Sequence, residues 1–368
     1  MAEKTNGLSR DFIIHPGETL KEILEDRGMT QRELAMRTDV KEPHISGIVN
    51  SQKPISVSFA KKLEYALGVG ASFWINLQAN YEKELADFEE INQISSEELA
   101  ILQKLKSITE YAQDIRLINP DAKGSMLVIE WRKCLNVSSL LRIPEISQAG
   151  AYRLAVADNV DQYILFAWLR VCDLITKNQM VNQELNIDRL KSKLHLMQNL
   201  TFEDVNAIHL RLKEYFAECG IKFAIVKHFT GAPVQGVIKK NIDGSLNLIM
   251  TLRRKFADVF WFTLFHEIGH ILNGDIEHRL IDYEDTKNII EDRADEFAAN
   301  ALIAQEMYNH FVETGDYSLS HIHQFCSEQK IPAYILIGRL QRDKHLEYHH
   351  YVHEKIKYEL DEIEKTIE

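Results

Sequence analysis

Apolar and polar positions change their period several times along these 368 residues. Near the start, Leu34 and Ala35, then Val40, Ile45 and Ile48, recur at helical spacing in two short segments. Thr30-Gln31-Arg32-Glu33 has the form of a capping box opening the first, and Thr38-Asp39-Val40 makes the turn between them. The second runs over about Glu42–Val49 and ends before Asn50-Ser51-Gln52-Lys53-Pro54, so the pair reads as a helix-turn-helix. Further on, Ser95-Ser96-Glu97-Glu98 caps a helix running toward Ala112. Breaks follow at Asn119-Pro120-Asp121 and Arg142-Ile143-Pro144, and Tyr163 to Ile175 is amphipathic, with Trp168 and Leu169 on the buried side.

Past residue 200 the period falls to two. Ile221–His228 and Val234–Lys239 read as strands, and Asn241-Ile242-Asp243-Gly244 supplies a turn. Leu246, Leu248, Met250 and Leu252 alternate with Asn247, Ile249 and Thr251, the mark of a half-buried strand. A helix then runs from about Phe256 to a left-handed stop at Gly274. Another carries the apolar stripe Ala294, Phe297, Ala298 and Ala301, and Tyr351–Glu368 reads as a charged helical tail.

These elements predict a mainly α protein with a small β-sheet. An all-α helix-turn-helix domain occupies residues 1–85, a helical connector 86–199, an α+β domain 200–340 and the tail 341–368. The length suits two or three domains with a proper core. A net charge of -12 excludes a general polyanion binder and leaves room only for a localised basic site. Cys134, Cys172, Cys219 and Cys326 lack ligand or redox spacing, which points to reduced core thiols. The polar N-terminus and the lack of an apolar run of spanning length point to the cytoplasm, with no membrane partner.

The chemistry concentrates in His266-Glu267-Ile268-Gly269-His270. Two histidines four apart share a helical face, so both imidazoles can reach one tetrahedral Zn2+. Glu267, beside the first, is placed to deprotonate a water held there. A third ligand is required, and two turns onward Glu291 and Asp295 share a face. Glu291 is the candidate third ligand and Asp295 a carboxylate orienting one of the imidazoles. Leu246–Leu252, taken as an exposed edge, is the candidate rail for substrate by strand addition. Trp261, Phe262 and Phe265 read as core. His278, His310 and Tyr283 each qualify as oxyanion stabilisers, and sequence does not choose among them. His349, His350 and His353 read as a solvated helix face.

Asp258 through His270, with Glu291-x-x-Ala294-Asp295-x-Phe297-Ala298-Ala299 and Ile337-Gly338-Arg339-Leu340-Gln341, resembles the ImmA/IrrE family of metallo-endopeptidases over about Leu200 to Leu340. The resemblance implies a zincin-like peptidase fold that cleaves a DNA-binding repressor. It gives His266, His270 and Glu291 the role of ligands and Glu267 that of general base, and no departure occurs at these four positions. At the other end, His15-Pro16-Gly17-Glu18 through Phe73–Tyr81 closely resembles HigA-type antitoxins of the XRE class over about residues 11–85. This implies that Glu42–Val49 enters the major groove. Glu42, Pro43, Ser46 and Gly47 would then face base edges, while Gln31, Asn50 and Lys53 touch phosphates. Arg32 and Lys41 add to the basic surround of the motif. Two departures stand out, Gly47 where relatives often carry a basic residue and the acidic Glu42.

The resulting expectation is a cytoplasmic transcriptional regulator with a zinc-dependent endopeptidase domain. It would act as a homodimer on operator DNA, its own promoter first, and on a repressor-like, antitoxin or toxin partner as protein substrate. The alternative is an antitoxin or autorepressor whose zinc domain senses or binds a partner without proteolysis.

Overall fold

The computed structural model describes residues 10–149, 160–181, 184–276, 280–281 and 289–359. Its chain is mainly helical with one four-stranded sheet, and it divides into two compact units, 1–99 with 123–129 and 100–122 with 130–368.

The first unit contains α1 (Pro16–Asp26), α2 (Gln31–Thr38), α3 (Glu42–Val49), α4 (Val57–Leu67) and α5 (Ala71–Gln93). Leu20, Leu34, Ile45, Ile48, Leu63 and Trp74 form its core, all of them fully shielded from solvent. Thr30 caps α2 by accepting from the Glu33 amide, but Glu33 does not return the bond. Its carboxylate instead takes Arg37 of the next turn at 2.8 Å, so only half of the expected capping box forms. Gly17 is required by close approach, because a side chain there would collide with the carbonyl of Ile48 on α3.

The connector follows as α6 (Ser96–Lys104), α7 (Lys106–Asp114), α8 (Gly124–Leu135), α9 (Ile143–Ala149), α10 (Gln162–Lys177) and α11 (Ile187–Asn199). The single helix expected from Ser96 to Ala112 is interrupted at Leu105. Beyond it come α12 (Val205–Glu218), β1 (Ile221–Val226), β2 (Gly236–Lys240) and β3 (Leu246–Thr251). The chain continues through α13 (Ala257–Asn273), β4 (Leu280–Ile281), α14 (Ile289–Leu302), α15 (Gln305–Glu313), α16 (Leu319–Gln329) and α17 (Ala333–Arg342).

The sheet order β1-β3-β2-β4 overturns one expectation. β3 is central, parallel to β1 and antiparallel to β2, so Leu246–Leu252 is no free edge and cannot serve as a substrate rail. All six residues of β3 are buried, although the sequence alternation marked one face for solvent. The cover is α10, which packs on β1 and β3 from the connector. Asn247 there donates to Thr176 of α10 at 2.9 Å, so the polar face of the strand is satisfied in the interior rather than by water. Leu246, Leu248 and Met250 turn instead toward Phe260, Trp261 and Leu264 of α13. Gln179 exchanges two hydrogen bonds with the backbone of Phe223, closing part of the outer edge of β1.

The expected tail helix is also overturned. α17 ends at Arg342, and residues 345–359 hold turns, a short 3-10 turn at Val352–Glu354 and extended chain; residues 360–368 lie outside the described range. Extended chain wins here because this segment finds backbone partners. Tyr358 donates to the carbonyl of Lys255 at 2.7 Å, and the Ala257 amide to that of Ile356 at 2.9 Å. Tyr358 then accepts from the buried Trp261 indole at 2.9 Å, and Lys355 pairs with Asp258 at 2.7 Å, both nearly enclosed. The four cysteines are buried free thiols, and burial pushes Cys134 and Cys219 up to about 11 and Cys326 to about 12.

The Asp258–Lys355 pair yields a stability test. Lys355→Ala should lower unfolding stability by on the order of 3 kcal/mol, because it leaves a buried carboxylate without its cation. Asp258→Asn combined with Lys355→Met should recover most of that loss. Thermal unfolding of the three proteins decides the matter; a single variant as stable as wild type would show the pair to be dispensable.

Candidate metal centre

α13 and α14 lie against each other closely enough that a Cβ at Gly269 would sit 3.2 Å from the Ala294 Cα. Small residues at this crossing bring Glu291, in the first turn of α14, over the buried histidines of α13. His266 Nε2 lies 3.0 Å from His270 Nε2 and 3.1 Å from Glu291 Oε2, and His270 Nε2 lies 3.3 Å from the same oxygen. A tetrahedral zinc with bonds of about 2.0–2.1 Å to N and O requires donors about 3.3 Å apart. The triangle therefore fits one ion held by His266, His270 and Glu291. Burial opposes the charge of Glu291, yet contacts with both histidines outweigh it and hold its carboxyl at about 2. Burial likewise works against a charged His270, but Glu291 and Glu267 overcome it and raise its proton affinity.

The other ring nitrogens are engaged as well. His266 Nδ1 is 2.8 Å from Asp295 Oδ1, the carboxylate expected to orient an imidazole. His270 Nδ1 is 3.4 Å from Asp275 Oδ2, a partner the sequence reading missed. Asp275 follows the left-handed Gly274 that stops α13; its amide bonds the His270 carbonyl and its other oxygen takes Arg293 at 3.3 Å. With both Nδ1 atoms facing carboxylates, both Nε2 atoms are left to converge. The signal was available in principle, as an aspartate directly behind the helix stop and five residues from a ligand histidine.

Glu267 is buried against Gly236, where any side chain on β2 would collide with its carboxylate. That contact fixes its position from a strand far off in sequence. On the other side Arg339 donates to the carbonyls of Ala299 and Ile303 at 3.1 and 2.6 Å, clamping the end of α14 to α17. Gly338 beside it admits Asp258, since a Cβ there would overlap that carboxylate. A cleft of about 830 Å³ opens on His266 and Glu291. Of the three oxyanion candidates, His310 is exposed on α15, and His278 and Tyr283 lie outside the described residues. Glu347, His349 and His350 form a second, fully exposed cluster, on a turn rather than on the helix expected there.

In the first unit Arg32, Lys41, Glu42, Pro43, Asn50 and Lys53 are exposed around α2 and α3, and Gln31 and Ser46 are half-buried. Asn50 donates to Ser46 at 3.2 Å. Gly47 is buried, and the aliphatic stem of Lys53 lies over it, 2.9 Å from where its Cβ would be. Gly47, expected to face base edges, thus makes a seat for the aliphatic stem of Lys53.

Residues 20–74 match the helix-turn-helix family, and residues 253–330 match the IrrE N-terminal-like domain of the M78 peptidases. Virulence-associated protein I of Dichelobacter nodosus is 36% identical over 75 residues, 20% of this chain and 69% of its own length. Virulence-associated protein A of the same organism is 42% identical over 69 residues, 18% of this chain and 68% of the relative. The chain belongs to the XRE-type helix-turn-helix family and carries an IrrE-like M78 peptidase domain behind it. Among solved structures, Pseudomonas aeruginosa antitoxin HigA with the higBA promoter is 33% identical over 23% of this chain and 96% of that one, with a TM-score of 0.20. The donor triangle lies within the matched peptidase segment. Among the described residues, no helix of this XRE-type protein is long and apolar enough to cross a membrane.

The helix crossing yields a second test. Gly269→Val should force α13 and α14 apart, cost about 1–3 kcal/mol by overpacking, and lower bound metal more than it lowers helicity. Metal analysis beside circular dichroism measures both, and full metal content in a folded variant would contradict the dependence.

Proposed function

We propose that this chain is a DNA-binding regulator whose second unit is a zinc-dependent endopeptidase acting on a repressor-like or antitoxin-like protein. The observation carrying the reading is the donor triangle of His266, His270 and Glu291 with Glu267 on the adjacent position of the same helix. Zinc held there would polarise the scissile carbonyl and acidify the attacking water. Glu267 takes the proton from that water and passes it to the leaving amine. Asp295 and Asp275 hold the imidazoles in the orientation that aims Nε2 at the ion.

His266→Ala, His270→Ala and Glu291→Ala should each lose most bound zinc, because a three-ligand site has none to spare. Glu267→Gln should keep zinc and fold while cleavage falls by about 10²–10⁴-fold. Asp295→Ala should lower occupancy and activity by about 10–100-fold. The assay incubates wild type and Glu267→Gln, with zinc, against the proteins encoded beside the gene. Equal cleavage by the two would remove Glu267 as the general base, and no cleavage by either would leave the sensing alternative.

The first unit is proposed to bind a two-fold symmetric operator as a homodimer, reading half-sites about one DNA turn apart, with α3 in the major groove. Arg32→Ala and Lys53→Ala should weaken binding to all sequences and flatten its salt dependence. Glu42 and Ser46 substitutions should alter sequence preference instead. Gel retardation on the gene's own promoter, with titrated salt, distinguishes the two classes; a monomer that shifts nothing at low salt would refute DNA binding.

A further inference from the structure

We infer that the cleft beside the metal triangle is a docking groove for an acidic polypeptide segment, with Arg342 and Lys357 selecting Asp or Glu close to the scissile bond. This rests on the peptidase reading above and adds a substrate class to it.

The chain carries a net charge of -12, yet the cleft gathers Arg254, Lys255, Arg339, Arg342, Lys355 and Lys357 against only Asp258, Glu291 and Asp295. Most of that balance is already allocated. Arg339 holds the carbonyls of α14, Lys355 is matched by Asp258 and Lys255 by Glu359, and Glu291 and Asp295 face the histidines. A divalent ion in the triangle would add further positive charge. The surface met by an incoming chain is therefore cationic, in a concave site where field lines are focused.

The placement of two cations gives the groove a direction. The Arg342 guanidinium stacks 4.0 Å over the Phe262 ring, with Asp343 at 3.4 Å from its Nε, and the side chain stays partly exposed. Phe262 stands four residues before His266 on α13, about 6 Å along the axis. An extended peptide advances about 3.3 Å per residue, so Arg342 is in reach of a side chain two or three positions from the bond over the metal. Lys357 is exposed and stands 5.4 Å over the Phe256 ring, at the start of the same helix. Ring stacking holds both heads in place; Arg342 shares its charge with Asp343, while the exposed Lys357 ammonium faces an incoming chain. The lining also carries apolar Val259, Phe262, Leu302 and Ile335 beside Gln235 and Thr263. An apolar floor with cationic sides suits a chain alternating apolar and acidic residues, and lacks the continuous flat basic surface that a nucleic-acid backbone would track.

The test uses the full chain, zinc-loaded, and fluorescein-labelled decapeptides with one Leu/Ala core and Asp, Gln or Lys at the second and fourth positions on either side of its centre. Binding to Glu267→Gln is read by anisotropy and cleavage by wild type by chromatography. The Asp peptides should bind about 10-fold tighter than the Gln peptides and the Lys peptides more weakly still. The preference should vanish in Arg342→Gln/Lys357→Gln and shrink at ~0.5 M salt. The double variant should match wild type in zinc content and in circular dichroism. Charge-selective binding without cleavage would sustain the groove and sink the peptidase reading. Cleavage indifferent to charge would do the reverse, and failure of both readouts would sink both. A single-stranded oligonucleotide that binds more tightly than the Asp peptide, and loses that binding in the double variant, would overturn the peptide assignment.

Discussion

Everything in the candidate centre depends on two helices approaching without side chains between them. Where Gly269 meets Ala294, the α13 and α14 backbones come near van der Waals contact, and that approach delivers Glu291 to two histidines already buried on α13. A larger residue at the crossing would displace the carboxylate by an amount comparable with the whole tolerance of a metal bond. The position is secured from three further directions. Arg339 draws the end of α14 onto α17, Gly338 lets α17 reach Asp258, and β2 offers Gly236 beneath Glu267. The small residues around the site are thus places where neighbouring elements come close, each admitting one functional group.

What could be read directly from the chain follows from distance along it. His266, Glu267 and His270 lie within five residues, so helical geometry alone places them, and Glu291 with Asp295 needed only a second helix. Asp275 was missed because its contact depends on how the chain turns after Gly274, and Gly236 because nothing local ties a strand glycine to a helix thirty-one residues later. Both limits are those of a pattern that reports faces and leaves partners unnamed.

The alternation of β3 fails for a related reason. Period two correctly separates its two faces, but water is only one of the things that can lie beyond a polar face. Here it is α10, and Asn247 satisfies its amide on Thr176. The region least legible in sequence, the connector, is what covers the face that the alternation marked for solvent, while β1 and β2 make β3 the centre of the sheet. Charge misled similarly at the end of the chain. Lys355, Lys357 and Glu359 suggest a solvated helix, yet one of these ions is buried on Asp258 and the backbone is paired with residues 255–257.

That last segment also sets an order of events during synthesis. The donor triangle, the strands and the clamp at Arg339 all precede residues 345–359, so they leave the ribosome while Asp258 still lacks its lysine and one wall of the cleft has yet to appear. A nascent chain can assemble its ligands well before its groove is closed. Completion of the cleft is thereby tied to the arrival of fifteen late residues, and a chain cut short before them would keep the helices of its first unit and lack one wall of the cleft.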